Sequence, residues 1–458
     1  MESIGGLNVV ASREQGWQRF FGLRTRGTTV RRELLAGATT FAAMSYIMVV
    51  NPLILSSTGM SRSGLLLATV LATVVGTLVM ALWANLPIAL APGMGSNIVF
   101  AQILVNQMGV TWQAGLAMVF LNALIFMILS LTRWRQIIIQ SFPEPIKLGM
   151  QCSIGIFIAY LGLKSGGVIT ADSAANIGFA QFTNPAVMVV TIGIVATPCL
   201  IALRVPGAFL ISIIGITIAG MFIPDGHGHT LTTLPSHFFA VPTLSSDLMF
   251  KLDFRQFFHQ FIVLLPLTLY FLLGEFFAGT STMLAVCRRA GLVQPNGEIM
   301  SARAAFTSDA LASVVGAIAG TSTTTAYAES ITGVEAGGRT GLVGVVVAVL
   351  FLVALIASPL ITAIPVQATA PTLVLVGILM MEGLRDIEVE HTGSALPPLL
   401  MVVVTACTGD MMVGLALGSF VYTAVLIARR DWARLTPVLF GVNAVLVLFL
   451  VVRGLVSH

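Results

Sequence analysis

Charged residues are scarce in this sequence, and their scarcity excludes a water-soluble globular protein. Asp, Glu, Lys and Arg make up 9% of the 458 residues, while 57% are hydrophobic. Soluble proteins carry about 25% charged residues. The mean hydropathy is +0.96. The net charge of +4 is modest, and the basic residues cluster at the ends of apolar runs, which does not indicate a nucleic-acid-binding surface. The composition therefore predicts an integral membrane protein.

Cysteines and histidines are also few, and their positions argue against metal, redox and hydrolytic chemistry. The four cysteines are isolated from one another, which indicates neither a disulfide framework nor a zinc site; they are Cys152, Cys199, Cys287 and Cys407. His227 and His229 fall in a predicted loop and form no ligand set with nearby carboxylates. No phosphate-binding loop or histidine-based nucleophile pair occurs in the apolar runs. We therefore expect no cofactor, no metal and no enzymatic activity.

Long apolar runs fill the rest of the chain. A helix needs roughly 20 apolar residues to cross the hydrocarbon core. In the first half the predicted spans are 34–55, 64–84, 112–132, 146–163, 186–203 and 207–223. In the second half they are 258–280, 302–319, 341–363, 369–382, 396–428 and 435–453. No segment between them is long enough for a soluble sensor domain.

Two further segments of span length are interrupted by small, polar and helix-breaking residues. One covers 86–107 and contains Ala91–Asn97, and the other covers 320–336 and contains Gly320–Ser330. Non-helical backbone at membrane depth is tolerated only where it is buried in protein or lines a cavity. A matched pair of interrupted spans in the two halves is the best sequence pointer to a secondary transporter's binding site.

Counting each interrupted segment as one span gives seven spans in each half. Because seven is odd, the second half enters the membrane from the opposite side, which predicts an inverted repeat. The expected organisation is an N-terminal tail at 1–33, a first repeat at 34–223, a loop at 224–257 and a second repeat at 258–458. The tail has no apolar core, so we do not expect it to be a signal peptide.

Arginine and lysine near the span ends predict the orientation, because they favour the cytoplasmic side. The clusters are consistent with a cytoplasmic N-terminus; they comprise Arg13, Arg19, Arg24, Arg26, Arg31 and Arg32, then Arg133, Arg135 and Lys147, then Arg288, Arg289 and Arg303. A fourth cluster at Arg429, Arg430 and Arg434 disagrees. Either 396–428 is bent and crosses twice, or these arginines are an exception.

The interrupted segments supply the first candidate site residues. Pro92 stops an incoming helix, and Gly93 and Gly95 allow unusual backbone angles. A half-helix that starts near Gly95 would direct its N-terminal amides into the protein, with Asn97 in its first turn. The alternative is a kinked structural helix.

The second interrupted segment combines a hydroxyl run at 321–325 with Glu329. An ionisable residue at membrane depth is costly and is by default a functional candidate. The alternative for Glu329 is a protonated, hydrogen-bonded structural role. Glu335 and Arg339, just beyond it, are expected to be structural or gating residues.

Three other acids lie in or beside predicted spans. Glu275 is the only acid of span 258–280 and is a candidate proton carrier. Asp309 fits a helix cap better than a proton carrier. Asp410 is ambiguous between the cap of a broken helix and a site residue.

The chain resembles the AzgA-like purine permeases, which belong with the nucleobase/ascorbate transporters. The resemblance covers nearly the whole chain, and its motifs are Phe21–Thr29, Tyr46–Pro52, Ala84–Gly95, Gly320–Glu329 and Gly337–Gly341. It implies an all-α membrane protein of fourteen spans in two inverted repeats. Spans one to four and eight to eleven would form a core domain, and the other spans a gate domain.

The resemblance also implies that the broken third and tenth spans each begin with a short strand and converge on the base. Asn97 and Glu329 match positions that the family uses for the nucleobase, and Gly95 and Thr325 would line the same pocket. In the eighth span the family usually has an Asp where this chain has Ala278, and Val413 stands where Asp is common. Either Glu275, about one helical turn before Ala278, substitutes for this acid with its longer side chain, or the choice of substrate has shifted.

The predicted function is therefore proton-coupled import of hypoxanthine, guanine or adenine across the inner membrane. Glu275 and Asp309 are the candidate proton carriers. The alternative is the same fold carrying xanthine, uracil or a small anion. Two half-helix N-termini suit an anion, whereas the Glu329 carboxylate would repel one. The sequence leaves open the preferred base, the coupling ion and whether a homodimer forms.

Overall fold

A computed structural model describes residues 16–132, 143–170, 178–205, 207–224, 229–240, 247–294, 298–387 and 392–456. The described chain is mostly helical. Eight of its helices are long and apolar enough to cross a membrane, and four shorter apolar helices accompany them. Arg13, Arg133, Arg135 and His227 lie outside the described residues.

The first half contains nine helices among the described residues. They are α1 Gly16–Phe21, α2 Val30–Met44, α3 Ile47–Ser56, α4 Arg62–Val79, α5 Met94–Ile98, α6 Trp112–Leu131, α7 Glu144–Ser165, α8 Pro185–Ala202 and α9 Ala208–Gly220. Side-chain caps set several of the starts, because they accept otherwise unpaired N–H groups. Thr29 caps α2, Thr111 caps α6 and Asn184 caps α8. A π-helical turn at Met80–Ala84 extends α4, and a π-helical stretch at Val99–Gln107 extends α5.

The second half contains ten helices within the described ranges. They are α10 Phe254–His259, α11 Phe261–Ala290, α12 Ala302–Ala319, α13 Ser330–Glu335, α14 Leu342–Leu355, α15 Ser358–Thr362, α16 Val366–Met380, α17 Thr392–Thr408, α18 Met411–Ala428 and α19 Pro437–Val456. Span 302–319 coincides with α12. Span 258–280 was predicted too short, because α11 continues through the basic residues to Ala290.

The described residues form four short strands, two of which pair at the interrupted segments. The strands are β1 Leu90–Pro92, β2 Ile169–Thr170, β3 Gly178–Phe179 and β4 Thr324–Ala326. β1 and β4 are antiparallel, with Leu90 opposite Ala326 and Pro92 opposite Thr324. The short strands expected in the broken spans are therefore present. Pro92 and the β-branched threonines disfavour a helix at these positions.

The segment predicted as one span at 396–428 is two helices. Gly409 has a left-handed φ of 64° and ends α17. The Asp410 carboxylate then caps α18 by accepting the N–H groups of Met412 at 2.9 Å and Val413 at 3.2 Å. Asp410 is therefore the cap of a broken helix, the first of the two predicted alternatives.

The two helices fold back on each other as a hairpin. Gly414 and Gly418 of α18 lie against Met401 of α17, where a side chain would not fit. The Arg429 guanidinium lies beside Gly393, near the start of α17. The chain thus returns to the side on which α17 begins. This favours the bent-segment alternative for the disagreeing arginines.

The helices pack in two groups. The first group comprises α2, α4, α6, α11, α12, α13 and α14, together with β1 and β4. The second group comprises α7, α8, α9, α16, α17 and α18, with α7 packed along α16. The C-terminal helix α19 contacts α11 of the first group and α18 of the second. The paired strands lie within the first group, and α5 reaches from them to α7.

Candidate functional site

The β1–β4 pair joins the two interrupted segments at the centre of the first helix group. Beyond the strand ladder, Gly93 N–H donates to the Thr323 carbonyl at 2.9 Å. The Tyr327 hydroxyl donates to the Pro92 carbonyl at 2.7 Å, and Tyr327 N–H donates to the Ala89 carbonyl at 3.0 Å. These bonds satisfy non-helical backbone at membrane depth, as a buried break requires. They also fix where α5 and α13 begin.

Glu329 lies immediately before α13 and is half-buried. Its Oε1 accepts a hydrogen bond from the Tyr46 hydroxyl at 2.6 Å. Tyr46 is fully buried, and its ring packs edge to face on Phe209 of α9 at 5.2 Å. Ala328 beside Glu329 is exposed. The carboxylate is therefore held on one side by the phenol of a buried tyrosine.

Asn97 occupies a different position from Glu329. It lies in the first turn of α5, is fully buried, and donates its Nδ2–H to Asn51 Oδ1. Asn51 in turn donates to Thr69 Oγ1 at 2.6 Å and to Thr321 Oγ1 at 3.0 Å. The structure thus does not join Asn97 and Glu329 by a hydrogen bond, although their segments pair through β1 and β4.

Gly95 marks the boundary between the two helix groups. A Cβ atom at this position would lie 2.7 Å from Ile154 Cγ2 of α7, so only glycine allows this approach. At Gly93 a Cβ would lie 3.3 Å from the methyl group of Thr325, which is half-buried. Thr325 therefore lies within the strand pair, opposite Ala91, while Gly95 lies just beyond it in α5 and faces the second helix group.

Glu275 and Asp309 form a buried acid cluster beside β4. Glu275 Oε1 accepts from the Ser313 hydroxyl at 3.1 Å, while its Oε2 has no hydrogen-bond partner among the described residues. Ser313 also accepts from Thr324 N–H at 2.9 Å, which ties the cluster to the strand. A Cβ at Gly279 would lie 2.7 Å from Asp309 Oδ2 and 3.1 Å from Thr325 Oγ1. The cluster therefore reaches the same strand that leads to Glu329.

The preference for Asp309 as a helix cap is wrong. Asp309 lies in the middle of α12, whose N-cap residue is Ser301. Its side chain is almost completely buried. The local pattern of Thr, Ser and Asp resembles a cap, but the helix begins seven residues earlier, at Ala302.

Ala278 is exposed on α11, one turn beyond the buried Glu275. The Glu275 carboxylate is turned toward Ser313 rather than toward the surface that Ala278 occupies. Glu275 therefore lies near the strands, but it does not fill the position of the acid that the resemblance expects at 278.

The turn after α13 is held by a buried acid that the sequence reasoning missed. Glu33 accepts Arg339 N–H at 2.8 Å and the Thr340 hydroxyl at 2.7 Å. Arg26 donates to the Arg339 carbonyl at 2.9 Å and to the carbonyl of Asn85. Burial among these groups lowers the pKa of the Arg26 guanidinium. Glu335, in contrast, makes an exposed ion pair with Arg289 at 2.7 Å.

Tyr46, Asn51 and Ser313 were also missed. Tyr46 and Asn51 lie in a motif that carried the family resemblance but received no role. A buried Asn within an apolar span was an available signal, because polar side chains there need partners. Ser313 stands four residues after Asp309, on the same helix face.

Comparison with known proteins identifies the family. A family model described as the Permease family, Xan_ur_permease, matches residues 31–409. The guanine/hypoxanthine permease PbuO of Bacillus subtilis is 36% identical over 424 residues, which cover 91% of this chain and 96% of PbuO. The adenine permease AdeQ of Escherichia coli is 35% identical over 414 residues, which cover 90% of this chain and 91% of AdeQ.

A solved structure shares the fold. The transmembrane domain of the cyanobacterial bicarbonate transporter BicA superimposes with a TM-score of 0.60 at 16% identity, covering 83% of this chain and 96% of that domain. At this identity the likeness concerns the fold alone. Together with the family match, it shows that this chain belongs to the permease family and is a multi-pass membrane transporter rather than an enzyme.

Proposed function

We propose that this protein is a secondary transporter that imports a purine nucleobase: hypoxanthine, guanine or adenine. The observation that carries the proposal is the half-buried Glu329 carboxylate at the start of α13, in a chain whose relatives are named for these bases. A purine presents N–H groups that a carboxylate accepts well. One Glu329 oxygen is used by Tyr46, and the other would accept from the base.

Gly95, Asn97, Glu275 and Thr325 complete the proposed site. Thr325 lies in β4, and Gly95 lies in the first turn of α5, just beyond β1. Asn97 lies in the first turn of α5, and Glu275 approaches β4 through Ser313. In this arrangement Glu329 is a direct acceptor for the base, and the other residues line the pocket around it.

We further propose that the coupling ion is a proton carried by Glu275 and Asp309. Both acids are almost completely buried and face the same strand. Neither forms an ion pair with a Lys or Arg of the described chain. Two neighbouring carboxyl groups without a cation are unfavourable when both are charged. Gain or loss of one proton by this acid pair would therefore change the charge next to β4, the strand that leads to Glu329.

The proposed mechanism moves the first helix group, as a core domain, against the second, as a gate domain. This corresponds to two inverted repeats at 34–223 and 258–458, in which the hairpin of α17 and α18 adds one crossing to the fourteen predicted spans. The boundary at Gly95 and Ile154 supports such a division, because the groups touch there without an interlocking side chain. The protein would lie in the inner membrane with the tail at 1–33 in the cytoplasm.

Uptake in cells that lack their own purine permeases tests this function. We expect saturable uptake of radiolabelled hypoxanthine, guanine or adenine that a protonophore abolishes. Saturable uptake that survives the protonophore but requires sodium would refute the proton coupling and leave the purine function standing. No saturable uptake of any of the three bases would refute the purine function.

A small anion is the second candidate, because the fold is shared with a bicarbonate transporter and half-helix N-termini suit anions. Xanthine and uracil are further alternatives within the same site. Glu329→Gln separates an anion from a base. Transport that is retained or improved in this variant indicates an anion, whereas loss of transport indicates a base.

A further inference from the structure

Asn51 is the centre of a hydrogen-bonded network that reaches both interrupted segments. It lies in α3 and is fully buried. Its side-chain amide contacts Asn97 in the first segment and Thr321 at the start of the second. It also contacts Thr69 of α4 at 2.6 Å. One side chain thus ties α3, α4 and both broken spans together.

The bonds of this network have a fixed direction. The Thr69 hydroxyl donates its only proton to the Leu65 carbonyl at 2.6 Å, so it can only accept from Asn51. Asn51 therefore turns its Nδ2 group toward Thr69 and its Oδ1 toward Asn97. Asn97 must in turn present an N–H to Asn51. The orientation of both amides follows from one threonine hydroxyl in the neighbouring helix.

This direction leaves one specific atom of Asn97 without a partner. Asn97 Oδ1 is buried and has no hydrogen-bond partner among the described residues. A buried acceptor of this kind is unfavourable unless a water molecule or a ligand completes it. Asn97 lies in the first turn of the half-helix that begins at the strand pair, so its free oxygen belongs to the region where the base is proposed to bind.

We propose that Asn51 is a positioning residue for substrate recognition: it orients Asn97 so that Oδ1 is the acceptor for an N–H of the base. This inference rests on the proposed purine function and deepens it. Asn51 acts through Asn97, and it does not itself contact the base.

The first test compares Asn51→Ala with Asn51→Asp in uptake measurements. Loss of the Asn51 amide frees Asn97 to rotate, and we expect KM for the base to rise about tenfold with little change in Vmax per inserted transporter. A protonated aspartate at this position has one O–H donor and one acceptor oxygen, so it still accepts from Asn97 and still donates to one of the two threonines. Asn51→Asp should therefore keep KM within about threefold of the original value.

Asn122→Ala is the matched control. Asn122 is also fully buried, but neither atom of its amide has a hydrogen-bond partner among the described residues. Asn122 lies in α6, away from the network, so the KM of the Asn122→Ala variant for the base should stay unchanged. Thr69→Val serves as a second probe if Asn51→Ala does not insert, because it keeps the side-chain shape and removes only the directing hydroxyl. We expect it to raise KM about threefold.

A double-mutant cycle with Asn97→Ala decides the mechanism. If Asn51 acts only through Asn97, the double variant should have the KM of Asn97→Ala alone, because interacting residues are not additive. Additive effects, or an unchanged KM in both Asn51→Ala and Thr69→Val, would overturn the inference while wild-type uptake persists. Absence of purine uptake by the wild-type protein would instead refute the proposed function and remove the basis of this inference.

Discussion

Replacing Glu329 by Gln is the sharpest perturbation of the proposed site. The variant keeps the length of the side chain and one oxygen, so Tyr46 can still donate to it across the 2.6 Å contact. It removes the charge and replaces the second oxygen by an NH2 group. An N–H of the base would then face another donor instead of an acceptor. The change is therefore local and chemical, with little effect on packing.

Two contributions set the expected magnitude. A hydrogen bond to a charged acceptor is worth about 1.5–3 kcal/mol, against about 0.5–1.5 kcal/mol for a neutral one. Leaving a buried donor of the base unpaired costs about 1–3 kcal/mol more. Together they weaken binding by about 2–4 kcal/mol, which corresponds to roughly 30- to 1,000-fold.

The assay is the initial rate of radiolabelled hypoxanthine uptake over a range of concentrations, normalised to the amount of protein in the membrane. Glu335→Gln is the control, since it is the same substitution at the other end of α13. Glu335 is exposed and, among the described residues, forms its ion pair with Arg289 at 2.7 Å, and exposed ion pairs contribute about 0–1 kcal/mol. The control should therefore transport normally. Unchanged or improved uptake by Glu329→Gln would refute the role of Glu329 as an acceptor for the base.

Three further substitutions test other parts of the structure. Gly95→Ala places a Cβ 2.7 Å from Ile154 Cγ2, so we expect Vmax to fall at least about fivefold. Restored uptake in the double variant with Ile154→Ala would confirm the contact. A fully active single variant would contradict it. Asp309→Asn should abolish accumulation driven by a pH gradient while exchange of labelled for unlabelled base persists, and normal accumulation would remove Asp309 from the coupling proposal. Glu33→Ala leaves the N–H of Arg339 and both donors of Thr340 without their acceptor. We expect it to destabilise the purified protein by about 2–4 kcal/mol, seen as a lower Tm in detergent, and an unchanged Tm would show that this turn is not held by Glu33.

The sequence predicts the interrupted segments well because their causes are local. Pro92 cannot donate to a helix, and the threonines before Ala326 favour extended backbone. The end of α12 also has a local cause, because Gly320 follows it with a left-handed φ of 98°. By contrast, the turn at Gly409 and Asp410 is hidden in a continuous apolar run, so α17 and α18 were predicted as one span.

The partners of the site residues could not be predicted, because they come from distant parts of the chain. Tyr46 and Glu329 are 283 residues apart, and Asn51 and Asn97 are 46 residues apart. Hydrogen-bond partners at such separations depend on how the helices pack. Periodicity and composition report only which face of a helix is apolar.

Tyr46 has a consequence for how occupancy of the site is transmitted. Its hydroxyl contacts Glu329 in the first helix group, while its ring contacts Phe209 in the second. In the proposed mechanism, a base that competes for the Glu329 carboxylate changes the hydrogen bond of this phenol, and the same side chain packs on the surface along which the two groups would move. The free energy of binding the base and the free energy of moving the helix groups then both depend on this side chain. Such coupling is reciprocal, so a change in one affects the other. A substitution at Phe209, which has no place in the proposed pocket, should therefore alter the affinity for the base as well as the rate of transport.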